Sequence, residues 1–245
     1  MNSNQLKIIA AISMVIDHIG YFLLPEALWL RMIGRIAFPI FAYFIAEGCI
    51  HTKNIRKYFL DVLLLGLICF VITIVASNTV YANILITFAL SILIIMTMQN
   101  LRKECSDVVR KETSVRQKWK RVISYLYIVC ALAGTFALSR IIMIDYGFAG
   151  VMVPVLVWLF KTFPPCKKDG NKAILNRTGG ILGLSIGLLL VSFFLGGIQY
   201  LCLITIPLMA LYNGERGRKS LKNFFYVFYP LHIGVIQSVV LFLAI

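Results

Sequence analysis

The chain has 245 residues, of which 60% are hydrophobic and 14% charged, with a mean hydropathy of +0.88 and a formal net charge of +14. Soluble domains are about 45–50% apolar and about 25% charged, so the composition excludes a water-soluble globule. The lack of short alternating segments excludes a β-barrel.

What remains is an all-α, polytopic transmembrane bundle forming a single integral membrane domain over residues 1–245. Its apolar runs of roughly 18 to 20 residues suit a hydrocarbon core of about 30 Å. Nine helices are expected, at 6–24, 31–50, 58–77, 81–99, 121–139, 145–160, 179–195, 198–212 and 224–244. The first run contains Asp17 and His18 and is followed by no small-residue cleavage site, so it reads as a membrane helix and not as a cleaved signal.

Lys and Arg set the orientation. Twenty of them fall in the connectors at 51–57, 100–121, 161–178 and 213–223, with Lys7 on the same side. The opposite side holds two, Arg31 and Arg140, and Arg35 lies within a helix. Cytoplasmic loops carry the excess of Lys and Arg, which predicts a cytoplasmic N-terminus, nine crossings and an external C-terminus in a bacterial-type plasma membrane. The same distribution, with no aromatic-interleaved basic stripe, argues against nucleic acid as a partner. Residues 100–120 are expected to form a cytoplasmic loop with a short amphipathic helix on anionic headgroups.

The six cysteines show no metal-type pairing and read as reduced structural thiols. Gly179, Gly183 and Gly187 recur every four residues and predict a close helix contact.

Ionisable groups at bilayer depth cost about 2.5–3.5 kcal/mol each on insertion scales and usually mark a site or pathway. Between Lys7 and Glu47 the chain carries Lys7, Asp17, His18, Arg31, Arg35 and Glu47. Lys7 and His18 are eleven residues apart, which puts them about 20° apart on one helix face and roughly 16 Å apart along the axis. A long anionic substrate fits that spacing, with phosphates at Lys7 and its reactive end at His18. A snorkelling Lys7 and a backbone-bonded His18 form the alternative. Asp17 and His18 point about 100° apart, so each needs a partner from another helix. Arg35 is either a structural ion pair, with Asp17 as the expected partner, or a substrate or oxyanion contact.

Glu47 and His51 lie four residues apart and suggest an interfacial pair. His232 follows Pro230 in an aromatic run, either as a capped residue at a kink or as a second functional histidine. Asp145-Tyr146-Gly147 opens the sixth helix, and Tyr212-Asn213-Gly214-Glu215-Arg216-Gly217 closes the eighth. The latter turn either caps a helix or grips phosphate through backbone N–H groups and Arg216.

Asp17-His18-Ile19-Gly20, Gly34-Arg35-Ile36-Ala37-Phe38-Pro39-Ile40-Phe41-Ala42, Glu47-Gly48, His51-Thr52, Asn83 with Thr87, Asp145-Tyr146-Gly147, Tyr212-Asn213-Gly214 and Phe228-Tyr229-Pro230-Leu231-His232 together resemble the TraX family. That resemblance spans nearly the whole chain and implies a membrane protein associated with N-terminal acetylation of a pilin subunit. The Lys7…His18 spacing also resembles the basic-residue, ten-residue, His pattern of membrane acyltransferases that O-acetylate envelope glycans. In those enzymes the His is catalytic and the acyl-CoA donor is cytoplasmic; here the basic residue is Lys where Arg is usual.

The expected function is an integral membrane acyltransferase using acetyl-CoA, with an amine or hydroxyl acceptor on a protein, peptide or glycan and no metal required. His18, Asp17, Arg35 and His232 are the candidate catalytic residues; Lys7, Asn213, Arg216 and Tyr146 are the candidates for binding the donor. The alternative is a transporter or channel whose buried charges form a polar path.

Overall fold

A computed structural model of the chain describes residues 1–77, 80–110, 115–163, 172–217 and 221–243. Ten α-helices run in chain order among these residues: α1 Ser3–Phe22, α2 Leu28–Gly34, α3 Ala37–His51, α4 Ile55–Ser77, α5 Ile84–Arg110, α6 Val115–Ile141, α7 Gly147–Thr162, α8 Lys172–Leu195, α9 Thr205–Ala210 and α10 Lys222–Leu243. A 3₁₀ segment, Gly197–Ile204, leads into α9. Taken as membrane segments they make seven helices long and apolar enough to cross, with α2 and α3 as one, plus the shorter apolar Gly147–Thr162 and Gly197–Ala210. The protein is thus an all-α, multi-pass membrane bundle with its segments at the nine expected positions.

Three elements depart from the sequence reading. The second segment is broken at Arg35 and Ile36. Pro39 explains the break: it has no N–H to bond the Arg35 carbonyl, and its ring crowds that carbonyl. The stretch 100–120, expected as a loop with a short amphipathic helix, is instead the continuation of two long helices, α5 through Arg110 and α6 from Val115. The eighth segment is largely 3₁₀, whose rise of about 2.0 Å per residue lets a short segment reach as far as a longer α-helix.

The Leu28–His51 segment is 61% buried and Trp119–Ile141 only 11%. The former is therefore the hub and the latter rides at the rim. Tyr43, Ile40, Ala42 and Ala46 of α3 pack with Leu6 and Ala10 of α1, Ile92 and Ile95 of α5, and Trp158 of α7. The outward faces of α4, α6, α8 and α10 present Val75, Leu126, Phe193 and Leu241, as lipid-facing helices do.

Lipid tails are as apolar as leucine, so helices associate here through close packing more than through hydrophobic drive. The Gly179/Gly183/Gly187 stripe supplies it on α8. A Cβ at Gly183 would sit 2.5 Å from the Leu156 carbonyl oxygen of α7, and one at Gly187 would sit 3.1 Å from Val153 Cα. The five described cysteines, Cys49, Cys69, Cys105, Cys130 and Cys202, are free thiols; Cys166 lies outside the described residues.

On the side of the short connectors, Tyr81–Ala82 and Met143–Ile144 form a two-residue parallel ladder. Asn83 closes it off, donating through Nδ2 to the Gly66 carbonyl at 2.8 Å, while the Thr87 hydroxyl donates to the Asp145 carbonyl at 2.9 Å. Asn83 and Thr87 thereby tie α4, α5 and the start of α7 together. Gly183→Ala is expected to cost about 1–3 kcal/mol, because the carbonyl it meets is backbone and cannot yield. Thermal unfolding in detergent measures this, and an unchanged midpoint would refute the close α7–α8 approach.

Candidate functional site

Two polar clusters stand at opposite ends of the bundle. The first gathers where α1 meets the break between α2 and α3. Arg35, 7% exposed, donates through an Nη to Asp17 Oδ1 at 2.5 Å, through its other Nη to Gln199 Oε1 at 3.2 Å, and through Nε to the Arg31 carbonyl at 3.2 Å. The 3₁₀ segment brings Gln199 into reach. Gly34 makes room for the pair: a Cβ there would strike the Asp17 side chain. Gly20 allows the same approach one turn further along α1, where a Cβ would lie 2.7 Å from Leu30 Cβ. The expected Asp17–Arg35 ion pair is therefore present, and it fills three directions of the Arg35 fork.

His18 and His232 come together across α1 and α10. His18 Nδ1 lies 2.9 Å from His232 Nε2, and His232 Nδ1 lies 3.0 Å from the Phe228 carbonyl oxygen. The rings are nearly parallel, 6° apart, with centroids 5.0 Å apart. At that nitrogen–nitrogen distance the rings meet edge to edge, so an N–H on one points along the lone pair of the other. Phe228 and Tyr229 pack on His232 at 5.1 and 5.2 Å.

The tautomers follow from donor logic. A carbonyl only accepts, so His232 Nδ1 carries the hydrogen and its Nε2 the lone pair. His18 Nδ1 then donates to that lone pair, and the neutral His18 ring keeps its own lone pair on Nε2. The arrangement is a base oriented by a second imidazole, which is in turn oriented by a carbonyl.

Within the field of Arg35 and Asp17 the ladder brings Tyr81 to Asp145, whose Oδ1 accepts from the Tyr81 hydroxyl at 2.8 Å. Burial pushes the Asp145 carboxyl from its ordinary 3.8 up to about 6, against the opposing pull of that hydroxyl and of Arg35. Tyr146 follows in a left-handed conformation (φ 60°), and Gly147 (φ 58°) continues it into α7. A non-glycine residue there is strained. The Tyr146 ring stacks on Phe38 at 3.9 Å and faces the Arg35 guanidinium at 5.9 Å.

The second cluster is at the other end. Lys161 Nζ donates to Glu47 Oε1 at 2.6 Å and to the Tyr43 hydroxyl at 3.1 Å, and the Tyr212 hydroxyl donates to Glu47 Oε2 at 3.0 Å. Glu47 thus pairs with Lys161 and not with His51, which is exposed. Lys7 sits over the Phe44 ring at 4.7 Å, in the field of both Glu47 and Arg216. The 211–217 turn folds onto the start of α1: the Asn213 N–H donates to the Met1 carbonyl at 2.9 Å and the Ser3 N–H to the Glu215 carbonyl at 3.0 Å. Asn213 Nδ2 donates to Glu215 Oε2 at 2.9 Å, and Arg216 is exposed beside it.

Of the four candidate donor contacts, Lys7, Asn213 and Arg216 share this end. Tyr146 does not. It precedes α7 while Lys161 lies near the far end of that helix, about 22 Å away at 1.5 Å per residue. Lys7 and His18 do share the inner face of α1, but the face between them is not open. Ala11 and Met14 occupy it, buried at 5% and 6% exposure, with Met14 in a cluster with Ala37, Cys69, Tyr229 and Ile233. Among the described residues no group of three or more His, Cys, Asp or Glu converges as metal ligands would.

A polytopic helical bundle that holds a histidine pair and an Arg–Asp pair in its interior is an integral membrane protein with a built intramembrane polar site. The chain belongs to the TraX family, whose description, TraX protein, matches residues 2–240. Among its relatives is a probable fimbrial assembly protein FimC, serogroup H1, of Dichelobacter nodosus, 27% identical over 98% of this chain and 96% of that one. An uncharacterized protein RP591 of Rickettsia prowazekii (strain Madrid E) is 56% identical over 39 residues, 16% of each chain. No solved structure matches the chain.

Two outcomes test the site's energetics. Asp17→Asn strands the Arg35 charge and is expected to cost about 3–5 kcal/mol, with much of it restored by adding Arg35→Gln; a fully additive double mutant would deny the pairing. Because the folded state holds the Asp145 proton to a higher pH than the unfolded chain does, stability falls as pH rises from about 4 to about 6. Melting curves over that range should show the slope in the wild type and a flatter one in Asp145→Asn.

Proposed function

We propose that this protein is an integral membrane acyltransferase that moves an acetyl group from cytoplasmic acetyl-CoA to an amine or hydroxyl of an acceptor. The observation that carries the reading is the His18–His232–Phe228 hydrogen-bond chain, because it leaves His18 Nε2 with a lone pair at bilayer depth. The base takes the acceptor proton as the acceptor N or O bonds to the thioester carbonyl carbon. The C–S bond then breaks, and His18 returns the proton to the departing thiolate. His232 holds the imidazole in the productive tautomer and stabilises the imidazolium by accepting from Nδ1–H. General-base help of this kind contributes typically about 10²–10⁴-fold.

Lys7 and Arg216, neighbouring cations at the end that carries most of the basic residues, suit the donor's phosphates. From Lys7 to His18 the rise is roughly 16 Å, and the plug on that face is Met14, an unbranched and adaptable side chain. The acyl arm reaches His18 by displacing it. The fimbrial assembly relative, which aligns over almost the whole chain, supports a fimbrial or pilin-type protein as acceptor.

The transporter reading needs a polar path across the membrane. The two polar clusters are instead separated along α3 by Ile40, Ala42 and Phe44, all buried. That layering favours a reaction site over a conduit.

The test is reconstitution in liposomes with labelled acetyl-CoA and fimbrial subunits or their N-terminal peptides. Acetyl transfer is expected in the wild type, with a loss of about 10²–10⁴-fold in His18→Ala and a smaller loss in His232→Gln. Undiminished turnover in His18→Ala would overturn the mechanism.

A further inference from the structure

Among the described residues of the outer cluster, Arg31 has an Nε that the protein leaves without a hydrogen bond. Its Nε is sealed from solvent and has no hydrogen-bond partner, and the nearest carboxylate oxygen, Asp17 Oδ1, is 3.7 Å away, beyond hydrogen-bond reach. The same Asp17 oxygen is committed to Arg35 at 2.5 Å.

The position is also a built one. Arg31 keeps 27% of its side chain exposed at the surface of the bundle. Its guanidinium lies 4.7 Å over the ring of Tyr21, an exposed residue three positions after His18. Gly20 gives its stem room: a Cβ there would meet Arg31 Cγ at 3.3 Å. On α1, Tyr21 stands about 60° from His18 around the helix, so the cation rests at the rim of the face that carries the base.

Resting on the acyltransferase reading, we propose that Arg31, backed by the Tyr21 ring, is the docking point for an anionic group, carboxylate or phosphate, carried by the acceptor. The planar fork grips such a group in two places at once. The grip uses the exposed part of the guanidinium, while the sealed Nε stays turned to Asp17, and it fixes the acceptor's nucleophile at His18. Arg35 has its donors turned to Asp17, Gln199 and the Arg31 carbonyl, so it serves as the frame behind Arg31.

Anion binding is measured without turnover, so its failure is distinct from failure of the acyl-transfer reading. The purified full chain in detergent, with Arg216→Gln removing the exposed cation at the other end, is titrated with sodium acetate and with inorganic phosphate at constant ionic strength. The melting temperature is expected to rise with at least one of the two, as binding to the folded state alone requires; which one acts separates a carboxylate from a phosphate. Adding Arg31→Gln should abolish the rise, and adding Tyr21→Leu should weaken it at least threefold in apparent affinity while leaving the guanidinium in place. The proposal is overturned if neither anion shifts the melting temperature, or if the shift survives Arg31→Gln.

Discussion

The ion pair between Asp17 and Arg35 is the constraint on which the rest of the bundle depends. It joins α1 to the hub segment at the point where that segment is broken, and it does so at 2.5 Å with Arg35 almost fully buried. Two charges at such depth are tolerated only when hydrogen bonds meet every direction they present. Gln199 and the Arg31 carbonyl meet two more, which is why the 3₁₀ segment before α9 must descend to this level. Gly34 and Gly20 hold the backbones close enough for the pairing. Because the pair sets the rotation of α1, it also sets the direction in which His18, one residue on, presents its ring to α10.

A second consequence is the division of the interior into layers. Glu47, Lys161, Tyr43 and Tyr212 make a closed network at one end, and Asp17, Arg35 and Gln199 make another. Between them lie close-packed apolar side chains, with Met14 the most deformable on the α1 face. The layer bears on the acyltransferase proposed above. On that reading the layer would deny water a continuous path to the thioester.

Much of this was legible in the residues. Hydropathy placed the nine segments, and the four-residue glycine period foretold the α7–α8 contact. The Asp17–Arg35 pairing was expected from the shortness of the turn joining their segments. The break in the second segment is also written in the residues: Pro39, four residues after Arg35, removes that carbonyl's helical partner and ends α2 there. Glu47 was misassigned to His51 because helical spacing considers only partners on the same helix, whereas Lys161 arrives from α7. Tyr146 was grouped with the donor contacts although it belongs with Phe38 and Arg35 at the opposite end.

The sequence by itself determined which segments enter the membrane, since the cost of burying each residue is local and sums along the chain. It also showed that ionisable side chains at depth would need partners. Which partners they take was decided only by the tertiary structure. His18 and His232 are 214 positions apart, and no periodicity reaches across that distance. Their meeting depends on how α10 packs against α1 and α4, and that packing is a sum of many small contacts. The tautomer of His18 depends in turn on a carbonyl of α10, so even its ability to act as a base is a property of the folded bundle and not of the residue.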